Sequence, residues 1–264
     1  MALTFCSFSS GSSGNCYLVK SEAATILIDA GISWRKISES LKLAETDPND
    51  LDAILITHEH SDHIRSLRTI NRRLPQIRTY ANGGTWKCME NLVHEEQRAV
   101  FETGAAFLIS DIEVTPFLLS HDAEEPVGFS FRGGGKQISI LTDTGVLNGD
   151  IFDEIREADL LVLEANHDTE MLKIGRYPMF LKQRILGEKG HLSNVDAAAA
   201  ICRLLSDKRK FRHVLLAHLS RENNFPEMAY QTVKNLLEES DYYIGENLKV
   251  NIIKRDEMSA VYTV

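Results

Sequence analysis

The residues best suited to chemistry lie in one stretch, Thr57-His-Glu-His-Ser-Asp-His63, which sets His58, His60, Asp62 and His63 within six positions. Imidazoles and carboxylates are the side chains that hold zinc, and also manganese or iron. A polar turn that happened to be rich in histidine would rarely assemble all four, whereas a loop built to hold metal needs them. The apolar run Ala53–Ile56 just before it reads as a buried strand, a rigid base for such a loop. Three more candidates stand directly after apolar runs: His121 after Val114–Ser120, Asp143 after Ile138–Leu141 and His218 after Val214–Ala217. Each alone would be an ordinary core or surface group. Together, at strand ends where functional loops sit, they point to a site drawn from both halves of the chain.

These residues need a scaffold, and the patterning supplies one. Strands are expected at Leu3–Ser7, Cys16–Val19, Thr25–Ile28, Ile77–Ala81, Phe107–Ile109, Glu113–Leu119, Val127–Phe131, Gln137–Leu141, Asp159–Leu163, His213–Ala217, Leu248–Ile253 and Ala260–Val264. Helices are expected from Ser33 to about Lys42, from Ile64 to Leu74, and over Thr85–Leu92, Gly149–Glu157, Asn194–Ser206 and Pro226–Glu238. Asn194 is the expected cap of its helix. Segment 168–192 carries Gly175, Pro178 and Gly187 and gives a weaker signal, with a helix at Tyr177–Leu186. Strands in runs, broken by helices, describe an α/β domain with two mixed sheets between helices. No repeat or linker divides residues 1–264, so a single domain is expected.

The chain has 264 residues, 43% hydrophobic content, 25% charged residues and a net charge of −9. That charge excludes a general nucleic-acid-binding coat, so a polyanionic substrate would have to meet a local basic patch. The four cysteines, Cys6, Cys16, Cys88 and Cys202, have neither C-x-x-C spacing nor a disulfide-framework pattern. Reduced thiols in a cytoplasmic protein are expected. No signal peptide is expected, and no stretch reaches the roughly 20 apolar residues of a membrane span.

The motif His58-x-His60-x-Asp62-His63, followed by His121, Asp143 and His218, resembles the signature of the metallo-β-lactamase superfamily. Asp29, in Leu27-Ile-Asp-Ala-Gly31, resembles the first motif of that fold. The resemblance implies an αββα sandwich and two divalent metal ions, zinc first and manganese or iron next. One ion would sit on His58, His60 and His121, and the other on Asp62, His63 and His218, with Asp143 between them and Asp29 behind a ligand. Two such ions about 3.5–4 Å apart share a water and lower its pKa towards about 7. His63 and Asp143 stand against a true β-lactamase, where a cysteine often fills the second site.

Further stretches lean towards phosphodiester cleavage. Glu164-Ala-Asn-His167-Asp168 and Gly190-His-Leu-Ser-Asn194 resemble the paired Glu and His motifs of tRNase Z-type phosphodiesterases. By that resemblance Glu164 orients His191, His191 is a general acid or phosphate donor, Asp62 positions the nucleophile, and His167 contributes to substrate binding. The loop Ser9–Asn15 is either a tight turn or a phosphate cradle in which Ser10, Ser12, Ser13 and Asn15 offer N–H groups and hydroxyls. Arg65, Arg68 and Arg72 share a helix face at i, i+3, i+7, either a phosphate-tracking stripe with Arg68 at its centre or a solvated face. Lys208-Arg-Lys210 and Arg212 read as a solvated loop.

With the small-residue loop, these motifs resemble the YycJ/WalJ-like subfamily. That implies a DNA exonuclease, acting 5′ to 3′ in DNA repair, on DNA rather than RNA. The 75-residue gap from Asp143 to His218 is too short for a β-CASP insertion. A glyoxalase II-like thioester or lactone hydrolase is the alternative, since it shares the ligand set.

Overall fold

In the computed structural model, the described residues are 2–264 except 208, 209, 211 and 246. In chain order, the first half runs β1 (Thr4–Ser9), β2 (Cys16–Lys20), β3 (Thr25–Ile28), α1 (Trp34–Leu43), β4 (Ala53–Leu55), α2 (Ser61–Ile64), α3 (Leu67–Arg73), β5 (Arg78–Ala81), α4 (Gly83–Cys88) and β6 (Arg98–Val100). The second runs β7 (Phe107–Ile109), β8 (Ile112–Leu118), β9 (Val127–Gly133), β10 (Lys136–Leu141), α5 (Gly149–Ile155), β11 (Leu160–Glu164), α6 (Thr169–Ile174), α7 (Met179–Leu186), α8 (Asn194–Asp207), β12 (Arg212–Ala217), α9 (Pro226–Glu239), β13 (Leu248–Ile252) and β14 (Tyr262–Thr263).

The strands form two seven-stranded sheets, β14-β1-β2-β3-β4-β5-β6 and β13-β12-β11-β10-β9-β8-β7. In each, an antiparallel stretch passes into a parallel one: β3, β4, β5 and β6 run parallel, as do β10, β11, β12 and β13. The sheets face each other across a core that includes Phe5, Tyr17, Ile26, Ile28, Leu55, Phe129, Phe131, Val162 and Leu215. The opposite face of the first sheet, with Leu27 and Ile54, packs beneath Ile37 and Leu41 of α1 and Leu67 and Ile70 of α3. That of the second, with Leu161 and Leu163, packs beneath Ile201 and Leu205 of α8 and Val233 and Leu237 of α9. This is the αββα sandwich. It explains why the parallel strands are continuous apolar runs: alternate side chains face the other sheet and the helices, and both environments are dry.

The structure departs from the sequence reading at several points. The expected helix from Ile64 to Leu74 is two helices, α2 and α3. Between them Ser66 donates from its backbone N–H to Ala30 O (2.8 Å) and from its hydroxyl to Ile32 O (2.6 Å), which diverts the chain. The helix expected at Thr85–Leu92 starts earlier, because Asn82 caps it by accepting from the Thr85 N–H at 2.9 Å. Strand β6 gave no alternating signal and is short. Ser193, not Asn194, caps α8, its hydroxyl accepting from the Asp196 N–H at 3.1 Å. Arg212 is buried within β12 and donates to the carbonyl oxygens of Ala158 (2.9 Å) and Arg156, where the chain leaves α5. Lys208 and Arg209 of the expected solvated loop lie outside the described residues.

Candidate metal centre

The functional side chains converge because the carboxyl ends of the parallel strands of both sheets meet at one edge of the sandwich. Asp29 follows β3, the histidine loop follows β4, Asp143 follows β10, Glu164 ends β11 and His218 follows β12. Crevices beyond such strand ends are where α/β sheets bind ligands. Asp29, Asp143 and His218 also have left-handed backbones, with φ of 59°, 64° and 56°. Non-glycine residues adopt this conformation at a cost of order 1–3 kcal/mol each, and such strain concentrates at functional sites.

Four histidines are held by hydrogen bonds through Nδ1, which leaves Nε2 of His58, His121 and His218 for the cleft, while His63 Nε2 lies 3.0 Å from Asn15 Nδ2. His63 Nδ1 donates to Asp29 Oδ2 at 2.7 Å, and His58 Nδ1 to Thr57 Oγ1 at 3.1 Å. His121 Nδ1 donates to Gly190 O at 3.2 Å, and His218 Nδ1 to Glu164 Oε1 at 2.8 Å. Asp29 is fixed in turn, accepting from the backbone N–H of Thr57 at 2.9 Å. In the neutral ring this pattern assigns the lone pair to Nε2, the state a metal ligand needs.

The side chains group as His58 with His60 and His121, as His58 with His63 and Asp143, and as Asp143 with Glu164, His191 and His218. Within each group the ligand atoms lie inside 4.8 Å of one another. Asp62 stands beside them, its Oδ2 3.7 Å from His63 Nε2. Three buried atoms facing this space make no hydrogen bond: His58 Nε2, His218 Nε2 and Asp143 Oδ2. Orphaned buried polar atoms are costly, and their convergence on a histidine and aspartate cluster fits a divalent metal site.

The electrostatics agree. Burial alone would lower the His63 and His218 pKa values, but the carboxylates of Asp29 and Asp143 around the first, and of Asp143 and Glu164 around the second, raise each to about 9. Burial would raise Glu164, but His191 and His218 pull it down to about 2. Asp143, although buried, is held well below the ordinary carboxylate range by His218 and His63. Burial and neighbouring imidazoles keep His58 well below its usual value. The cluster is therefore anionic without cations, and the protons on His63 and His218 occupy the place of metal charge.

Glu164 does more than the sequence indicated. One oxygen accepts from both His191 Nδ1 and His218 Nδ1, each at 2.8 Å. The other accepts from the N–H groups of Thr144 (3.0 Å) and Leu192 (3.3 Å). His191 is 17% exposed and turns its remaining nitrogen towards the cleft.

The cleft over the site has a volume of about 250 Å³. Ser12, His60, Asp62, His121, Asp143, His191 and His218 line it, and so do Asn166, Ser220 and the α7 wall of Tyr177, Leu181, Arg184 and Ile185. The sequence reading expected a helix at Tyr177–Leu186 but gave it no part in the site, since nothing local in a segment broken by glycine and proline ties it to the metal motif. Of the residues expected to bind substrate, Ser12 alone lines this cleft. Ser10 is buried, hydrogen-bonds Tyr17 Oη at 2.8 Å and accepts from the backbone N–H of His218 at 3.0 Å, so it holds a site residue from behind. Ser13 donates to Asp256 at 2.9 Å. Asn15 is buried, with Nδ2 3.0 Å from His63 Nε2. His167 is buried, and its ring nitrogens have no hydrogen-bond partner. Arg68 donates to Asn91 O at 2.8 Å and lines a separate recess with Arg72 and Arg98.

A sandwich with this cluster at its strand ends has the metallo-β-lactamase fold. Residues 24–218 match the family described as Beta-lactamase superfamily domain, and the chain belongs to that superfamily. It is similar to a Bacillus anthracis protein named Exodeoxyribonuclease YycJ, with 40% identity over 254 residues that cover 95% of each chain. It is also similar to Exodeoxyribonuclease WalJ of Streptococcus pneumoniae serotype 2, with 42% identity over 246 residues, 91% of this chain and 90% of that one. Its fold matches the metallo-beta-lactamase fold protein YhfI from Bacillus subtilis with a TM-score of 0.73 over the whole of both chains, at 15% identity.

Proposed function

We propose that this protein is a metal-dependent phosphodiesterase that shortens DNA from a strand end, in the 5′ to 3′ direction and in the service of DNA repair. The names of its exodeoxyribonuclease relatives support the substrate class. The observation that carries the reading is Glu164, which joins His191 to His218 through one carboxylate oxygen and so couples a cleft-facing imidazole to the metal-ligand set. A hydrolase of thioesters expels a thiolate and needs no such proton donor, whereas a phosphodiester leaves as an alkoxide and does.

Two ions are proposed, zinc first, with manganese or iron as alternatives. One is held by His58, His60 and His121, and the other by Asp62, His63 and His218, with Asp143 facing both. When bound, such ions would polarise the phosphoryl oxygens and would lower the pKa of the attacking water towards about 7. Asp62 and Asp143 orient the attacking water by accepting its protons. Asp29 keeps His63 turned towards the site. Glu164 orients His191 by accepting from its Nδ1–H, and its Nε2–H is then aimed at the departing 3′ oxygen. The whole chain is proposed to act as one domain without an inserted nucleic-acid-binding module, so the cleft walls themselves must hold the substrate. Among the described residues no helix is long and apolar enough to cross a membrane. A cytoplasmic location is proposed, in keeping with four free cysteines, two of them buried.

The test is a substrate panel with metal added back to stripped protein: 5′-phosphorylated single- and double-stranded DNA, RNA and a glutathione thioester. DNA should be cleaved, and His191→Ala should slow it by about 10²–10⁴-fold. Turnover of the thioester alone would overturn the reading in favour of the glyoxalase-like alternative.

A further inference from the structure

The stretch Ile64–Leu74, directly after the histidine loop, holds four arginines and no acidic residue, in a chain whose net charge is −9. Two of them, Arg68 and Arg72, lie one turn apart on α3 and with Arg98 of β6 line a recess. A third, Arg65, joins that recess to the cleft. Its Nη1 donates to Ser13 O at 3.1 Å, and the neighbouring Ser12 lines the cleft.

These guanidinium groups are oriented without being neutralised. Arg68 Nη2 donates to Asn91 O at 2.8 Å. Arg98 donates from Nε to Val93 O at 3.0 Å and from Nη2 to Glu90 O, and its guanidinium stands 5.3 Å from the centre of the Trp86 ring. Among the described residues, Arg72 makes no hydrogen bond, and none of Arg65, Arg68, Arg72 and Arg98 comes within ion-pair distance of a carboxylate. A backbone carbonyl fixes the direction of a guanidinium but leaves its charge whole. With five N–H donors on each, every one of the four keeps a free edge that can fork onto a phosphate. Glu90 and Glu95 also line the recess, so the excess of positive charge belongs to its α3 side, where Arg65, Arg68 and Arg72 follow one another.

We infer that this arginine row seats the DNA backbone beyond the cut, with Arg65 at the lip of the cleft and Arg68, Arg72 and Arg98 taking phosphates further along the duplex. The inference rests on the phosphodiester reading above and adds where the uncut part of the substrate lies. At a rise of about 1.5 Å per residue, Arg65 to Arg72 spans about 10 Å, which matches about three nucleotides of one strand at about 3.4 Å each. Arginines that meet only phosphates position a duplex without reading its sequence. A chain that is acidic elsewhere then holds DNA along one line leading into the cleft, rather than over its whole surface.

The test compares wild type, Arg68→Gln and Arg72→Gln, both substitutions being at exposed positions. Affinity for a labelled, 5′-phosphorylated duplex is measured in chelator, where no cleavage occurs, over a range of salt. Each variant should bind about ten-fold more weakly, and its slope of log affinity against log salt should fall by about 0.9. A second duplex carries uncharged methylphosphonate linkages about three to five nucleotides from the 5′ end. These should weaken binding by wild type about ten-fold and by Arg72→Gln less than about three-fold, because the variant has already lost that contact. With metal restored, Arg72→Gln should lower DNA cleavage at least about five-fold more than cleavage of bis(p-nitrophenyl) phosphate, which has no neighbouring phosphate. Unchanged affinity and slope, equal cost of the uncharged linkages to both proteins, or equal losses on both substrates would each overturn the inference. If the wild type hydrolyses neither diester, the phosphodiesterase reading falls, while the binding comparison still decides the role of the arginine row.

Discussion

Glu164→Gln is the most searching perturbation of this site, because the substitution keeps shape and removes only an acceptor. The carboxylate accepts four hydrogen bonds, two per oxygen, from donors that cannot rotate away: two ring nitrogens and two backbone N–H groups. A glutamine must turn its NH₂ towards one of these pairs. Turned to Thr144 and Leu192, it leaves two buried N–H groups unmatched, at about 1–3 kcal/mol each, or about 2–6 kcal/mol in all. Turned to the histidines, it donates to both Nδ1 atoms, so His218 must carry hydrogen on Nε2, the atom needed for metal, and His191 can no longer carry hydrogen on both nitrogens as a proton donor held by Glu164 does. A partner lost behind a metal ligand typically costs about 10–100-fold in metal affinity. The variant should therefore either melt well below wild type, by about 4–24 °C at 2–4 °C per kcal/mol, or keep its melting point and lose metal affinity and cleavage together. Thermal unfolding with and without chelator, and competition of the apoprotein against a zinc indicator, separate these cases. A variant with wild-type melting, affinity within about three-fold of wild type and undiminished cleavage would refute the role assigned to Glu164.

Gly31→Ala should be among the most damaging single-methyl additions. A Cβ there would lie 1.5 Å from Asp62 O, which already accepts from the Asn15 N–H at 2.8 Å, so the histidine loop must move. A fall in melting temperature of several degrees together with lost metal is expected, and a normal melting point with full metal content would contradict it. Metal uptake by the apoprotein should release protons below pH 9, because His63 and His218, raised to about 9, must shed theirs to become ligands. Affinity should climb with pH through that range, and calorimetry in buffers of different ionisation enthalpy reads the proton count; no buffer dependence would argue that other groups hold the metal. Asp159→Asn should lower stability at neutral pH by about 1–2 kcal/mol, since its carboxylate accepts from the Gln137 N–H (2.9 Å) and pairs with Lys136 and Lys210. Its pKa is depressed by those partners against the effect of burial, so the contribution is present above the unfolded value near 4 and is lost as pH falls below it. Melting curves of the two proteins should converge in acid, and a constant gap would count against the assignment.

What could be read from the sequence follows from what kind of interaction fixed each feature. The sandwich was legible because strands such as Thr25–Ile28 and Leu160–Glu164 are buried on both faces, and that demand writes an unbroken apolar run. The candidate ligands were legible because each closes such a run. The distances that make them a site were not, since Glu164 meets His191 and His218 across 27 and 54 positions and leaves no local pattern. Arg212 was misread for a related reason: its charge suggested solvent, yet its guanidinium is needed inside, to satisfy the carbonyls of Ala158 and Arg156 where the chain leaves α5. Ser10 and Asn15 could be read as part of a tight turn or of a phosphate cradle, because small polar residues suit both tasks equally well. In the fold their neighbours are His218 and His63, so the loop braces both sides of the candidate metal site from beneath. The α7 segment gave the faintest helical signal because Pro178 and Gly187 bound it closely and leave only the eight residues Met179–Leu186 between them.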